Sequence, residues 1–306
     1  MSFSEDVRAE LAGIAPAREC DRLAELSALF HFAGRLHLLG RGEVSLHLDL
    51  SSAAVARRAF TLLRELGVRS EIRTYQRHAF GREMRYQLHV EGGPAALEVL
   101  QQAGVVDSRT RPLDRPPKRV VPRSCCRSAY VRGALLASGS VSPPPSPHLE
   151  VRSETREGAE AVAAAAASEG GELRVAERGD HALAYAKGID RIAGVLAAAG
   201  ASEAALALQE RAVLGFTRAR ANRLANADHA NVVRAVAAAK TQLEAVRRLE
   251  RGGRLDELSP PLREIARLRK KHPTLSLREL AAKCDPPTSK SAAQRRLHAL
   301  VRLSRR

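Results

Sequence analysis

Tryptophan is absent from this 306-residue chain, aromatic residues supply only 3% of it, and cysteine occurs four times. Each scarcity excludes something. Few aromatic rings means few platforms on which unpaired bases could stack, which argues against single-stranded nucleic acid as the main ligand. Cysteines 20, 125, 126 and 284 are too few to staple a chain this long, and Cys125 and Cys126 are neighbours, so a bridge between them is strained. Reduced packing thiols are expected, with a redox-sensing role for Cys125 and Cys126 as the less favoured reading. No C-x-x-C spacing occurs, and a metal site assembled from distant Cys and His is the less favoured reading; no metal and no other cofactor is expected. No stretch is apolar for long enough to span a bilayer. The start, MSFSEDVRAELAGIAP, lacks the basic n-region and apolar core of a secretion signal. A cytoplasmic protein is expected.

What the chain has in excess is positive charge. Its formal net charge is +16 and its pI about 10.7. The excess is uneven: residues 251–306 carry 15 Lys/Arg against 5 Asp/Glu, and the rest carries 35 against 29. A strong basic balance favours a polyanionic partner, and its concentration in the last fifth of the chain says where to look.

Periodicity orders the rest. Residues 2–14 read as a helix capped by Ser4. Apolar positions 23, 26, 29, 30 and 33 mark a helix over 20–38 running into a hairpin, RLHLL–GRG–VSLHLDL. A helix at 53–66, strands at 68–75 and 84–90 and a helix at 94–103 follow. The order then returns: a helix at 124–140 passing into a strand, a strand at 147–154, a helix at 155–168, strands at 172–178 and 181–187, and a helix at 189–200. The halves also align residue by residue: Ala33-Gly34 falls on Ser138-Gly139, and VLQQAG (99–104) on VLAAAG (195–200). The unit is αββαββα, present twice. The expected fold class is α+β, with the duplicated unit followed by a helical arm and an all-α C-terminal domain. The expected divisions are 1–108 for an N-terminal helix and first half, 109–123 for an exposed Pro/Arg linker, 124–200 for the second half, 201–251 for the arm and 252–306 for the basic domain.

In the basic domain three helices are expected within 262–303. Ser259 caps the first, ahead of Pro260 and Pro261. Ser276 and Glu279 form a capping box for the second. Asp285-Pro286-Pro287 stops it, and Thr288 or Ser289 caps the third. The third helix turns Ala293, Leu297, Leu300 and Val301 inward, and Lys290, Gln294, Arg295, Arg296 and Arg302 outward. Three short helices with a tight second turn make a helix-turn-helix, whose last helix enters the major groove. The candidate DNA-binding residues are Thr288, Ser289, Lys290, Ser291, Gln294, Arg295 and Arg296. Gln and Arg bond base edges, whereas Lys more often meets phosphate.

The first helix of each half ends in small residues, ALFHFAG (28–34) and GALLASG (133–139). An αββαββα pair with such helix ends resembles the LAGLIDADG homing endonuclease fold. The resemblance implies that the two first helices pack together and that each carries an acid before its final glycine, the acids holding divalent metal at the DNA backbone. Here those positions are Ala33 and Ser138, and the motif's other acidic position is His31 in one half and Leu136 in the other. Cleavage by that mechanism is therefore not expected, and no catalytic residue is assigned.

The combination of a degenerate LAGLIDADG pair, an arm and a helix-turn-helix resembles the WhiA family of bacterial sporulation and cell-division regulators over nearly the whole chain. The most specific pieces are MSFSEDVRAELA, AELSALFHFAGRLHL, CCRSAYVRGALLASGSV, NRLANADHAN and SLRELAAKCDPPTSKSAAQRRLHAL. Glu19-Cys20 departs from the paired cysteines of many relatives. The resemblance implies a nucleoid-associated, double-stranded-DNA-binding regulator of transcription, cell division and chromosome segregation, acting beside a WhiB-like iron–sulfur regulator where sporulation occurs. The alternatives are a protein-interaction scaffold with incidental DNA binding and a metal-dependent nuclease. The strand residues Arg35, His47, Arg73, Arg77 and Arg85 are candidates for a saddle over DNA, against the preferred reading of a solvated sheet face.

Overall fold

A computed structural model of the chain describes residues 2–40, 43–77 and 83–305. The chain forms two compact units, Met1–Phe216 and Thr217–Arg306, and each has its own apolar core.

The first unit opens with α1 (Phe3–Gly13) and α2 (Glu19–Ala33), then β1 (Gly34–Gly40), β2 (Glu43–Leu50), α3 (Ala53–Glu65), β3 (Ser70–Arg77), β4 (Glu83–Val90) and α4 (Pro94–Gln102). The second half repeats it as α5 (Ser124–Ser138), β5 (Gly139–Ser142), β6 (His148–Ser153), α6 (Arg156–Ala167), β7 (Arg174–Arg178), β8 (His181–Lys187) and α7 (Ile189–Ala199). Both sheets are antiparallel with the same strand order, β1-β2-β4-β3 and β5-β6-β8-β7. The inner face of the first sheet follows from period-2 alternation: Leu46, Leu48 and Leu50 of β2 and Leu88 and Val90 of β4 are buried. Each such side chain stabilises by about 1.5–3 kcal/mol.

α2 and α5 are the central pair, and both are buried on most sides rather than along one stripe. Their crossing is close because Gly133 has no side chain. A Cβ there would lie 2.4 Å from the Glu25 carbonyl oxygen and 2.8 Å from the Ala28 Cβ. At the same crossing the fully buried Glu25 carboxylate accepts from Arg58 Nε at 2.7 Å and Nη2 at 3.2 Å, and from Arg132 Nε at 2.8 Å. The two guanidiniums come from opposite halves.

Several expectations need correction. The cap of α1 is Ser2, whose side chain accepts from the Glu5 amide. Ser4 instead donates to the Val141 carbonyl and accepts from its amide, both at 2.8 Å, tying α1 to β5. The helix expected over 20–38 ends at Ala33, because strand β1 starts directly at Gly34. The turn expected at Gly40–Gly42 includes residues 41 and 42, which lie outside the described residues. The mostly exposed linker 109–123 also docks on the first half: Val120 is buried, a Val106–Pro112 bridge forms, and Leu113 donates to the Val105 carbonyl at 2.9 Å.

α8 (Ser202–Arg251) is one continuous helix that begins in the first unit and ends in the second. The second unit adds α9 (Pro260–Lys271), α10 (Leu277–Ala282) and α11 (Lys290–Leu303). Its core joins Val246 and Leu249 of α8 to Ile265, Leu280, Leu297 and Leu300.

Candidate nucleic-acid interface

α11 starts cleanly because Ser289 caps it, its side chain accepting from the Ala292 amide at 3.1 Å. Ala293, Leu297 and Leu300 fix its inner face in the bundle. The rows 290-294-298-302 and 291-295 then share the outer face, since residues four apart stack on a helix. Lys290, Ser291, Gln294, Arg295, His298 and Arg302 are all exposed. No side chain among these six makes a hydrogen bond or ion pair to another described residue. Three cations, a histidine and two neutral hydrogen-bonding groups are thus free on one face, and Lys290 and Ser291 lie in the first turn, where the helix itself favours an anion. His298 was missed from the sequence, although its spacing from Gln294 was a sufficient signal.

Two of the foreseen contacts are placed differently. Thr288 is half-buried in the connector, its amide donating to the Ala281 carbonyl at 3.0 Å. Arg296 is half-buried and turned toward α9, with Nη1 3.9 Å from a Glu264 carboxylate oxygen. The other Glu264 oxygen accepts from the Asp285 amide at 2.5 Å, so Glu264 ties the connector and the third helix together. That connector runs from 283 to 289 and is longer than the tight turn expected; two prolines mark where a helix stops but not how soon the next begins. The capping box at Ser276 and Glu279 is present, and the Ser259 side chain makes no capping bond. Arg269, which adds to the sequence's charge, is buried. Its Nη1 donates to the carbonyls of Leu275 at 2.7 Å and Pro273 at 3.3 Å, and desolvation lowers its pKa from the ordinary arginine value.

In the first unit, α2 and α5 end at Ala33 and Ser138 beside a cleft of about 790 Å³. Neither end residue is an acid, and Ser138 Oγ donates to the Arg152 carbonyl at 2.7 Å. The carboxylates that do line the cleft carry protein partners. Asp49 accepts from Arg85 Nε at 3.2 Å and Tyr75 Oη at 3.0 Å. Glu154 pairs with Arg35. Asp180 lies 2.9 Å from His181 Nδ1 and 3.9 Å from Arg152, and His181 chiefly holds its carboxyl below the usual range. A hard divalent cation would have to displace these partners.

His31, at the other former acid position, is a structural group. Its Nε2 donates to the Gly104 carbonyl at 3.2 Å, which leaves Nδ1 to accept from Tyr130 Oη at 3.1 Å. Burial lowers its pKa to about 4, against the smaller opposing effect of the Gly104 bond.

Strand register brings the foreseen saddle residues to one sheet face: Arg35 pairs with His47, His47 with His89, and Arg73 with Gln87 beside Arg85 and Tyr75. Their charge is largely spent locally. Arg73 bonds Glu71 and Arg85 bonds Asp49, while His47 stacks on His37 with centroids 5.1 Å apart. The Arg77 side chain lies outside the described residues.

Family comparisons match three stretches of the chain. The description "WhiA N-terminal LAGLIDADG-like domain" matches residues 19–106, "WhiA LAGLIDADG-like domain" matches 127–218, and "WhiA C-terminal HTH domain" matches 221–304. A "Probable cell division protein WhiA" of Symbiobacterium thermophilum is 38% identical over 308 residues, covering 99% of this chain and 98% of the relative. The chain belongs to the WhiA family. A second WhiA relative of the same name, from Heliobacterium modesticaldum, is 34% identical over 99% of this chain and 96% of its own length. The solved full-length DUF199/WhiA of Thermatoga maritima shares the fold at TM-score 0.58 with 20% identity, over 100% of this chain and 98% of that one. The α+β architecture is thus a degenerate LAGLIDADG-like pair with a C-terminal helix-turn-helix. No helix among the described residues is long and apolar enough to cross a membrane.

Proposed function

We propose that this WhiA-family chain is a non-catalytic, sequence-specific binder of double-stranded DNA. It regulates transcription, cell division and chromosome segregation, and sporulation where the organism sporulates. One observation carries the reading: α11 presents Lys290, Ser291, Gln294 and Arg295 together, exposed and without protein partners among the described residues, at the capped start of the third helix of a trihelical bundle. Lys290 and the helix N-terminus take phosphate, while Gln294 and Arg295 read base edges at roughly 1–3 kcal/mol per good bidentate pair. Ser289 and Thr288 act through geometry, by capping and by bracing the connector. Arg296 acts mainly from within the bundle.

The WhiA relatives' printed name supports the division role. The proposal places the protein in the cytoplasm on the nucleoid, with a WhiB-like regulator as partner in sporulating bacteria. A single helix-turn-helix buries only about 600–1,000 Å² of protein surface on DNA. A partner protein, a second copy or the LAGLIDADG-like unit therefore supplies part of the selectivity. The lack of an acid at Ala33 and Ser138, and the protein partners held by Asp49, Glu154 and Asp180, support a reading without cleavage.

The test is genome-wide crosslinking to find bound promoters, followed by mobility shifts on one of them. The Lys290→Ala/Arg295→Ala protein is expected to lose the shift while keeping its circular dichroism and melting temperature. An unchanged shift would remove the third helix from the interface. Magnesium-dependent nicking of a plasmid by the wild-type protein, absent from a mock preparation, would overturn the non-catalytic reading.

A further inference from the structure

The duplication brings the starts of α2 and α5 side by side, and with them Cys20, Cys125 and Cys126. Among the described residues, Cys20, Asp21, Cys125 and Cys126 form the one group whose ligand atoms all lie within 4.8 Å of one another. Cys125 Sγ and Cys126 Sγ are 3.9 Å apart, and Cys20 Sγ lies 3.4 Å from Asp21 Oδ1. In a tetrahedral zinc site with ~2.3 Å metal–sulfur bonds, the sulfur–sulfur edge is about 3.8 Å. The Cys125–Cys126 edge is already close to that size, and no pair of ligand atoms is more than 4.8 Å apart.

We propose that Cys20, Cys125, Cys126 and Asp21 form a binding site for one thiophilic divalent cation, zinc in the cell. Three sulfur donors select zinc over magnesium or calcium, whose ligands are oxygens. The surroundings suit a cluster of anionic ligands. All four ligands sit in the first turns of α2 and α5, where unpaired backbone N–H groups favour negative charge. Arg18 Nη1 reaches Cys125 Sγ at 3.6 Å and offsets part of the ligand charge. Cys126 is buried whereas Cys20, Asp21 and Cys125 are half-exposed, so the site is enclosed from below and open to an arriving ion. Binding exchanges the three thiol protons for the metal, with no change of oxidation state. The ion links the first half of the duplication to the second at the end of the central helix pair away from Ala33 and Ser138. Sequence spacing concealed this site because its ligands come from two distant segments.

The experiment is titration of the reduced, metal-free full chain with cobalt(II), followed by displacement with zinc. One equivalent is expected to produce thiolate-to-cobalt charge transfer with intense tetrahedral d–d bands, which zinc then abolishes. Bound zinc is expected to shield Cys20, Cys125 and Cys126 from alkylation, as read by mass spectrometry. Cys20→Ser and Cys125→Ser should each lose the charge-transfer bands of the three-sulfur site. Asp21→Asn, a half-exposed change that spares the core, should weaken binding while circular dichroism stays native. Arg18→Ala should weaken it about 10–100-fold, as loss of a group bonded to a ligand does. Absence of stoichiometric charge-transfer bands in the wild type, or their persistence in the two serine variants, would overturn the proposal. So would ready oxidation to a Cys20–Cys126 disulfide in a chain that takes up no metal.

Discussion

Arg295 and Arg296 are neighbours in sequence and opposites in circumstance. Arg295 projects from α11 with no partner among the described residues, whereas Arg296 leans on Glu264. Arg295→Ala should therefore cost about 1–3 kcal/mol of DNA affinity and relax specificity at one base position, with stability changed by less than ~0.5 kcal/mol. Arg296→Ala should instead lower the melting temperature slightly, since a part-exposed pair is worth about 0–1 kcal/mol. Mobility shifts at several salt concentrations, paired with thermal melts, separate the two. Glu25 is the other telling residue. Replacing it with Ala leaves Arg58 and Arg132 buried without their anion, and a loss of about 3–5 kcal/mol is expected in urea unfolding. His31 adds a pH effect. Its folded pKa of about 4 lies below the ordinary 6.5, so on acidification the unfolded chain takes the proton first. Stability should fall as pH drops from ~6.5 toward ~4, by an amount on the order of 1–3 kcal/mol, and level off below that. Urea midpoints at several pH values should show a shallower fall for His31→Gln. None of this was legible from spacing alone: a charged residue between helix positions reads as surface until its partners are known, and those of Glu25 and His31 come from distant segments.

At the scale of elements, the alternation of Leu46, Leu48 and Leu50 and the cap at Ser276 were legible, because strand period and capping chemistry are local. The length of the 283–289 connector and the docking of 109–123 were not, because tertiary contacts such as Glu264 to the Asp285 amide decide them. The packing of α2 on α5 was legible as small residues, and of their glycines Gly133 meets the facing helix at Glu25 and Ala28, whereas Gly34 and Gly139 lie nearest Phe30 and Leu135 of their own helices. Gly133→Ala should cost about 1–3 kcal/mol or more, since its Cβ meets the backbone of Glu25 and backbone cannot swing aside. Chemical denaturation measures it, and a neutral result would mean that α5 can shift along α2. On α11, Ser289→Ala should cost about 1 kcal/mol through the lost cap.

For the whole molecule, the +16 charge overstates what is available to a polyanion. Arg269 is buried, Lys270 pairs with Glu250, and Arg35, Arg73 and Arg85 each hold a carboxylate. If Lys290 and Arg302 supply about two phosphate contacts, affinity should drop ~12-fold between ~50 and ~200 mM salt. A much steeper fall would show that the LAGLIDADG-like unit also touches DNA. Residues 1–216 contain one complete core and none of α11. That fragment should melt cooperatively and fail to shift DNA that the full chain binds.

The mixed parentage of the Glu25 triad carries a lesson about ancestry. The alignment that sets Ala33 on Ser138 also sets Ser27 on Arg132. A first half mated to a copy of itself would keep Arg58 for each Glu25 but offer serine in place of the second guanidinium. Held in one chain, the two halves give Glu25 a guanidinium from each side, which two copies of the first half would not do.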